Sequence, residues 1–283
     1  MTDRVKAYWG LVRPRIVAMV LFAMAVAAWT AGEEKPSWQV MAHALSGTAL
    51  LIVGAIALNQ RLERRGDAKM LRTADRPLPA GRLSNREVTW FGVLASAAGL
   101  TYLFCCSGAG VFVVAIVSWV LYVWAYTPLK SVTVWQTPIG AVAGAMPVLL
   151  GAAAVRAPMS PMAVSLFAIV FFWQLPHAMA VAWLYRREFA SAEVKLATVV
   201  DPSGHTAGVL ALLGAAALLP VSLGPSLYGP AGWVYGLVAV WLGLGYLTYA
   251  FAFFQRRSDG SARALLRASV VYLPILFGVL LLQ

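Results

Sequence analysis

The feature that most restricts the fold of this chain is a series of long apolar stretches. Each approaches the length of about 20 residues that a helix needs to cross a lipid bilayer. Nine can be recognised, at about 16–31, 38–58, 89–104, 110–126, 137–154, 163–183, 208–224, 232–254 and 265–282. The sequence therefore predicts an all-α, polytopic membrane protein with about nine transmembrane helices and a single integral-membrane domain spanning residues 1–283.

The low content of charged residues excludes an ordinary soluble domain. Only 12% of the residues are charged and the mean hydropathy is +0.76, whereas soluble domains carry about 25% charged residues. The acidic residues also avoid the nine apolar stretches, so a relay of buried carboxylates of the kind found in proton pumps is not expected.

The basic residues are distributed asymmetrically. If the loops alternate between the two sides of the membrane, twenty of the 22 Lys and Arg residues fall on one side, and only Lys35 and Arg156 fall on the other. The positive-inside rule then places the N-terminus in the cytoplasm and the C-terminus outside. The membrane that we expect is a bacterial cytoplasmic (inner) membrane. The net charge of +11 is thus explained by topology, and the expected partner is the lipid bilayer, not nucleic acid.

A strongly polar segment follows the second apolar stretch and reads NQRLERRGDAKMLRTADRPLP, residues 59–79. If the helix continues past Leu58, Asn59, Glu63 and Asp67 stand at positions i, i+4 and i+8 on one stripe. Three oxygen-bearing side chains in a row suit a hard cation such as Mg²⁺, and we expect the Asp67 carboxylate to face solvent. The alternative is a helix end with surface ion pairs, each of which contributes little to stability.

Basic residues continue this segment beyond the acidic stripe. Lys69, Arg72 and Arg76 can donate hydrogen bonds to phosphate oxygens, and arginine can do so in a bidentate manner. The segment then ends at Pro77 and Pro79, which cannot continue a helix.

A second polar segment follows the sixth apolar stretch and reads FFWQLPHAMAVAWLYRREF. It places His177 within the span, with Tyr185 and Glu188 two and three turns further along, towards the cytoplasm. An intramembrane histidine is either a functional residue or a hydrogen-bonded core residue. Aromatic residues of this segment either line an apolar cavity or form an interfacial belt; they are Phe171, Trp173 and Trp183.

Together these segments resemble the UbiA-type membrane prenyltransferases. The pattern N-x-x-x-[DE]-x-x-x-D followed by RT-x-x-RPLP-x-G is similar to the first motif of that family. The block WQ-x-PH is similar to its protoheme IX farnesyltransferase (haem O synthase) branch. The resemblance implies a nine-helix bundle around a central apolar cavity, in which Mg²⁺ holds a prenyl diphosphate between two polar motifs.

The resemblance also implies roles for individual residues, including catalytic roles for the metal ligands and His177. The implied metal ligands are Asn59, Glu63, Asp67 and Glu188. The implied diphosphate-binding residues are Lys69, Arg72, Arg76 and Lys130. The implied contacts to the acceptor or the prenyl chain are Trp173, Gln174 and Tyr185. The sequence departs from the family pattern at Arg65, where an acidic residue is common, and at Glu188, where aspartate is usual.

The implied reaction transfers a farnesyl group from farnesyl diphosphate to a vinyl group of haem B, giving haem O and diphosphate, with haem as substrate. Haem A synthase and terminal-oxidase assembly proteins are the implied protein partners. One alternative is a UbiA-type enzyme that acts on a quinone precursor or a lipid alcohol. The other is a non-enzymatic membrane transporter or oxidase assembly factor, which would more naturally show charges within its spans or inverted repeats.

The charge asymmetry generates a topological prediction. A cytoplasm-dependent reporter such as green fluorescent protein should be active at the N-terminus, and alkaline phosphatase should be active at the C-terminus, because the basic loops remain in the cytoplasm. Reporter activities that place both termini on the same side of the membrane would contradict the prediction of an odd number of spans.

Overall fold

The computed structural model describes residues 2–229 and 231–283 and is built from helices joined by short loops. The described residues contain no β-strand. The α-helices are α1 (Thr2–Val12), α2 (Pro14–Thr30), α3 (Trp38–Asp67), α4 (Leu71–Ala74), α5 (Asn85–Ser107), α6 (Ala109–Val120), α7 (Thr127–Leu129), α8 (Gln136–Ala154), α9 (Pro161–Leu184), α10 (Arg186–Ser191), α11 (Ala197–Val200), α12 (His205–Val221), α13 (Gly224–Tyr228), α14 (Trp233–Arg256) and α15 (Asp259–Leu281).

Within the described part of the chain, nine segments are long and apolar enough to cross a membrane. This confirms the predicted all-α polytopic fold, and each predicted stretch overlaps one of these segments. They are Asp3–Thr30, Trp38–Asp67, Asn85–Ser107, Ala109–Leu129, Gln136–Ala154, Pro161–Leu184, His205–Tyr228, Trp233–Arg256 and Asp259–Leu281.

Serine residues define the start of several spans. The side chains of Ser37, Ser84, Ser160 and Ser258 each accept a hydrogen bond from a backbone N–H in the first turn of the following helix. Such caps satisfy donors that have no partner within the helix. The positions at which these helices begin are therefore encoded locally.

The fourth span changes its winding near its C-terminal end. A π-helical segment, Leu121–Tyr126, separates α6 from α7, and π-helical turns often occur at functional sites. The Thr127 hydroxyl donates to the carbonyl of Tyr122 at 2.7 Å and accepts from the side chain of Asn59 at 2.9 Å. The altered winding therefore connects the end of this span to the polar stripe of α3.

Glycines allow α3 and α5 to approach each other until their backbones touch. A Cβ atom added at Gly54 would lie 2.6 Å from the backbone nitrogen of Ser96, and one added at Gly99 would lie 2.6 Å from that of Leu51. Small residues at helix contacts are typical of membrane proteins, where van der Waals packing drives helix association.

The other half of the molecule has a larger, aromatic core. Helix α9 packs against α8, α12 and α15, and α14 packs against α12 and α15. The fully buried aromatic side chains of this half are Tyr235, Tyr246, Phe253, Tyr272 and Phe277. This packing holds α9 against α15, and α9 contributes residues to one wall of the site.

The close contact between α3 and α5 generates a stability prediction. Gly99→Ala should lower the free energy of unfolding in detergent by about 1–3 kcal/mol, because the added methyl group meets backbone atoms that cannot move aside easily. Gly245→Ala is the matched control, since a Cβ there has no atom within 4 Å, and it should leave stability unchanged or slightly higher. Equal effects of the two substitutions in thermal unfolding would contradict the packing argument.

Candidate active site

A cavity of about 570 Å³ with charged and apolar lining lies at the end of the bundle where α3, the π-helical segment and α9 reach the loops. Both polar segments recognised in the sequence contribute to its wall. Its charged or titratable lining residues are Arg13, Glu63, Asp67, Arg72, Arg76, Tyr122, Tyr126, Lys130 and His177. The remaining wall is largely apolar, so the site can bind a molecule with one charged and one hydrophobic end.

The acidic stripe is organised by the continuation of α3 to Asp67, which confirms that the helix extends past Leu58. Asn59, Glu63 and Asp67 all line the cavity. The expectation that Asp67 faces solvent is wrong, because it is only 1% exposed; Asn59 is also buried, at 4% exposure. The segment that follows α3 folds back over the end of the helix, where Arg76 pairs with Asp67, and Asn59 contacts Thr127 of the fourth span.

Ion pairs neutralise the two carboxylates of the stripe. Arg76 Nη1 lies 2.5 Å from Asp67 Oδ2 and 4.0 Å from Glu63 Oε2, and the Lys130 ammonium contacts Glu63 Oε1. Burial alone would lower the pKa of Lys130, but attraction to Glu63, Tyr126 and Tyr122, together with the hydrogen bond to Glu63, raises the pKa above its ordinary value of 10.5. Lys130 therefore carries its positive charge throughout the physiological pH range.

Asn59 and Asp67, at the two ends of the stripe, each keep one side-chain oxygen without a hydrogen bond from any described residue. Thr127 donates its only hydroxyl proton to the backbone carbonyl of Tyr122, so its oxygen must accept a hydrogen bond from the Asn59 side-chain N–H. With the amide nitrogen of Asn59 turned towards Thr127, Asn59 Oδ1 has no hydrogen bond within the described part of the chain. Asp67 Oδ1 is buried and unpaired. An unpaired buried carboxylate oxygen is unfavourable, and a cation beside it would remove that penalty.

The donor set fits Mg²⁺ better than a transition metal. The described residues contain no cluster of three His, Cys, Asp or Glu side chains that could hold a metal, and the candidate site consists of two carboxylates and one amide. Magnesium prefers few carboxylate ligands and leaves its other positions to water and substrate phosphate.

Arg72 stands at the mouth of the cavity, between two aromatic rings. Its guanidinium lies 4.9 Å from the ring centroid of Tyr185 and 5.6 Å from that of Phe189. Its backbone N–H donates to Glu188 Oε2 at 3.0 Å. Glu188 lies on α10, not on the helix of His177 as the sequence suggested, and its carboxylate contacts the start of α4 without lining the cavity.

The loops that carry these residues are tied together outside the cavity. Lys69 Nζ lies 2.8 Å from Glu193 in an exposed ion pair, so Lys69 does not line the cavity. The backbone N–H of Lys195 donates to the carbonyl of Lys130 at 2.6 Å. The two polar segments therefore meet at the same end of the bundle, as expected from the topology.

Trp173 and Gln174 of α9 form hydrogen bonds with backbone carbonyls outside the cavity. Trp173 Nε1 donates to the Ser269 carbonyl at 2.8 Å, and Gln174 donates to the carbonyls of Ala141 and Val170. Neither Trp173 nor Gln174 lines the cavity, whereas His177 does. Three residues predicted to contact the acceptor or the prenyl chain therefore lie next to the cavity but do not line it: Trp173, Gln174 and Tyr185.

Several cavity residues were not recognised from the sequence. Arg13 lies between α1 and α2 in a left-handed conformation with φ of 53°, and its only signal was its position directly before Pro14. Tyr122 and Tyr126 also line the cavity, and Lys130 Nζ lies 4.3 Å from the centroid of the Tyr126 ring. Their i, i+4 spacing before Lys130 is the pattern that could have identified them.

The fold and the site define an integral-membrane protein with a cationic, carboxylate-containing cavity. The profile of the UbiA prenyltransferase family matches residues 19–273. This chain is 37% identical to the protoheme IX farnesyltransferase of Solibacter usitatus (strain Ellin6076), over 98% of this chain and 98% of that protein. It is 38% identical to the protoheme IX farnesyltransferase of Opitutus terrae (strain DSM 11246 / JCM 15787 / PB90-1), over 98% of this chain and 94% of that protein. The chain belongs to the UbiA prenyltransferase family.

Solved structures share the fold at much lower sequence identity. A structure of digeranylgeranylglyceryl phosphate synthase has a TM-score of 0.80 at 13% identity, covering 99% of this chain and 98% of that one. A UbiA homologue from Archaeoglobus fulgidus, described as bound to DMAPP and Mg²⁺, has a TM-score of 0.68 at 17% identity, covering 98% and 99%. At these identities the likeness establishes the UbiA fold.

The burial of Asp67 generates a prediction for the protein without substrate. Asp67→Asn should lower the free energy of unfolding by about 1–3 kcal/mol, because Arg76 loses its closest charged partner while Glu63 remains further away. Asp75→Asn is the control: Asp75 pairs with Arg82 at 2.8 Å but its side chain is 89% exposed. Thermal unfolding in detergent should show a lower Tm for the first variant only. Equal Tm values for both variants would mean that Asp67 behaves as a surface residue.

Proposed function

We propose that this protein transfers a farnesyl group from farnesyl diphosphate to a vinyl group of protoheme IX (haem B), giving haem O and diphosphate. It would act in the cytoplasmic membrane of a bacterium, with the cavity opening towards the cytoplasm. The relatives described above are named for this activity, and their similarity to this chain extends over nearly their full length. They support the choice of reaction. The observation that carries it is the cavity itself, whose charged end adjoins a wall that bears a histidine among apolar residues.

The charge balance of the cavity suits a diphosphate. Its lining contains four cationic side chains, Arg13, Arg72, Arg76 and Lys130, against the two carboxylates of Glu63 and Asp67. This leaves a net charge of two positive units for an anionic substrate. Arginine and lysine donors of this kind bind phosphate oxygens through charge-assisted hydrogen bonds, and they stabilise the negative charge that develops on the leaving group.

Asn59, Glu63 and Asp67 would hold Mg²⁺ together with the diphosphate. When bound, Mg²⁺ supplies positive charge to the diphosphate oxygens and makes the diphosphate a better leaving group. The same carboxylates now engage Arg76 and Lys130. Release of these two cations towards phosphate oxygens would therefore accompany binding of the metal and the substrate.

The apolar part of the site would hold the farnesyl chain and exclude water. Tyr122 lines both the main cavity and a smaller apolar cavity of about 110 Å³ between α2, α3 and α8. The C–O bond at the first farnesyl carbon breaks, and its electron pair leaves with the diphosphate. The rings of Tyr122 and Tyr126 can stabilise the resulting allylic cation, and dry surroundings prevent its reaction with bulk water.

The acceptor step follows from the chemistry of a vinyl group. The vinyl π electrons form the new C–C bond with the farnesyl carbon, and the positive charge moves to the vinyl carbon attached to the ring. Water adds to that carbon and loses a proton, which gives a hydroxyethylfarnesyl substituent. The cationic mouth of the cavity would hold the haem propionates close to the cytoplasm.

The proposal is tested by incubating the purified, membrane-reconstituted protein with farnesyl diphosphate, Mg²⁺ and haem B, followed by mass analysis of the extracted haems. The expected product carries a farnesyl group plus one water. Arg76→Gln should reduce kcat/KM for farnesyl diphosphate at least about 100-fold, as expected for loss of a donor to the developing charge.

Arg82→Gln is the matched control, because Arg82 also pairs with an aspartate but lies outside the cavity; it should retain activity. Arg72→Gln provides a second cavity variant if Arg76→Gln does not remain folded. A wild-type protein that prenylates only a quinone precursor or a lipid alcohol would refute the proposed acceptor, and equal activities of the Arg72, Arg76 and Arg82 variants would refute the proposed diphosphate site.

A further inference from the structure

A hydrogen-bond chain between α9 and α15 fixes the protonation pattern of the histidine in the cavity wall. His177 Nδ1 lies 2.8 Å from Ser269 Oγ, and Ser269 Oγ donates to the carbonyl of Leu266 at 2.6 Å. A hydroxyl has one proton to donate, so Ser269 must accept from His177. The imidazole therefore carries its proton on Nδ1, and in the neutral ring the lone pair resides on Nε2.

A second contact fixes the plane of the imidazole. The Trp173 ring stacks on His177 with a centroid separation of 5.1 Å and an interplanar angle of 25°. Trp173 in turn donates from Nε1 to the carbonyl of Ser269, and its own carbonyl accepts from the Tyr246 hydroxyl at 3.1 Å. The same residue of α15 thus positions both rings, and the imidazole has little freedom to rotate.

The remaining ring nitrogen is available to a ligand. His177 lines the cavity, and Nε2 makes no hydrogen bond with any described residue. Its neighbours on this wall, Ala178, Val181 and Ala182, are apolar. Within the described residues no carboxylate contacts the imidazole, so no nearby charge stabilises a second proton on it. The wall therefore presents one oriented lone pair in otherwise apolar surroundings.

We propose that Nε2 of His177 is the axial ligand of the iron of the acceptor haem, and that Ser269 is the residue that positions it. This inference rests on the proposed function. A neutral imidazole is the commonest protein ligand of metals. Histidines that bind metals almost always donate their other N–H to an oxygen, which fixes the tautomer and the ring orientation. The contact between His177 and Ser269 has this arrangement.

The depth of His177 agrees with a haem held inside the cavity. It lies seven residues before Leu184, the end of α9, which corresponds to about 10 Å along the helix axis. Iron bound at this depth would place the porphyrin between the apolar wall and the cationic mouth.

The test is a spectroscopic titration of ferric and ferrous haem B into the full-length protein in detergent, without farnesyl diphosphate. The wild type should show the optical and resonance Raman signatures of histidine-ligated iron. His177→Ala should lose them, and added imidazole should restore them. Ser269→Ala should bind haem about 10- to 100-fold more weakly, as expected for loss of a residue that orients a metal ligand, whereas Ser269→Thr should resemble the wild type.

Ser222→Ala is the matched control for the serine. Ser222 is fully buried, donates to the carbonyl of Leu218 at 2.8 Å and contacts the Tyr272 hydroxyl at 2.7 Å, but it does not line the cavity. Its haem spectrum and affinity should be unchanged. Affinity for a non-hydrolysable farnesyl diphosphate analogue should be the same in all variants, which separates loss of haem ligation from general misfolding.

The outcomes distinguish this inference from the proposed function. If the wild type farnesylates haem but His177→Ala gives the same haem spectrum as the wild type, His177 is not the iron ligand. The proposed enzymatic activity then still holds. If Ser269→Ala and Ser222→Ala have the same haem affinity, the positioning role of Ser269 is wrong. If the wild type neither binds nor prenylates haem, the proposed function fails and the inference fails with it.

Discussion

The pairing of charges at one end of the bundle is the interaction on which the site depends. Asp67 and Glu63 belong to α3, Arg76 to the segment after it, and Lys130 to the loop that follows α7. A buried charge without a partner is strongly unfavourable, so each of these groups requires the others to be in place. The pairs therefore determine how the loops close over the ends of the helices.

The two halves of the bundle contribute differently to this arrangement. Backbone contact between α3 and α5, made possible by Gly54 and Gly99, fixes the helix that carries the acidic stripe. On the other side, the aromatic core holds α9 against α15, which brings His177 to Ser269. Rigid support of this kind is what a site needs when a reactive cation must be held in one geometry and shielded from water. The charged end and the wall that carries His177 are thus held in place by different sets of helix contacts.

Much of the fold and part of the site could be predicted because the relevant patterns are local. Nine apolar stretches gave the number of spans, and the i, i+4, i+8 spacing of Asn59, Glu63 and Asp67 placed them on one face of α3. The exposure of Asp67 was predicted wrongly, since its burial depends on the segment that folds back over it. Glu188 of α10 lies beside the start of α4 because it accepts a hydrogen bond from Arg72, which is 116 positions away in the sequence. No local pattern encodes such a contact.

The sequence by itself determined that the chain crosses a membrane as helices, because the length and polarity of each stretch decide where it can reside. It also determined which residue types are available for metal and phosphate binding. The tertiary structure decided which of them meet. It brought Arg13 into the cavity, left Lys69 and Glu188 outside it, and placed Ser269 beside His177, 92 residues away in the sequence. The physical reason is that the packing of distant helices, not local periodicity, selects the partners of each buried polar group.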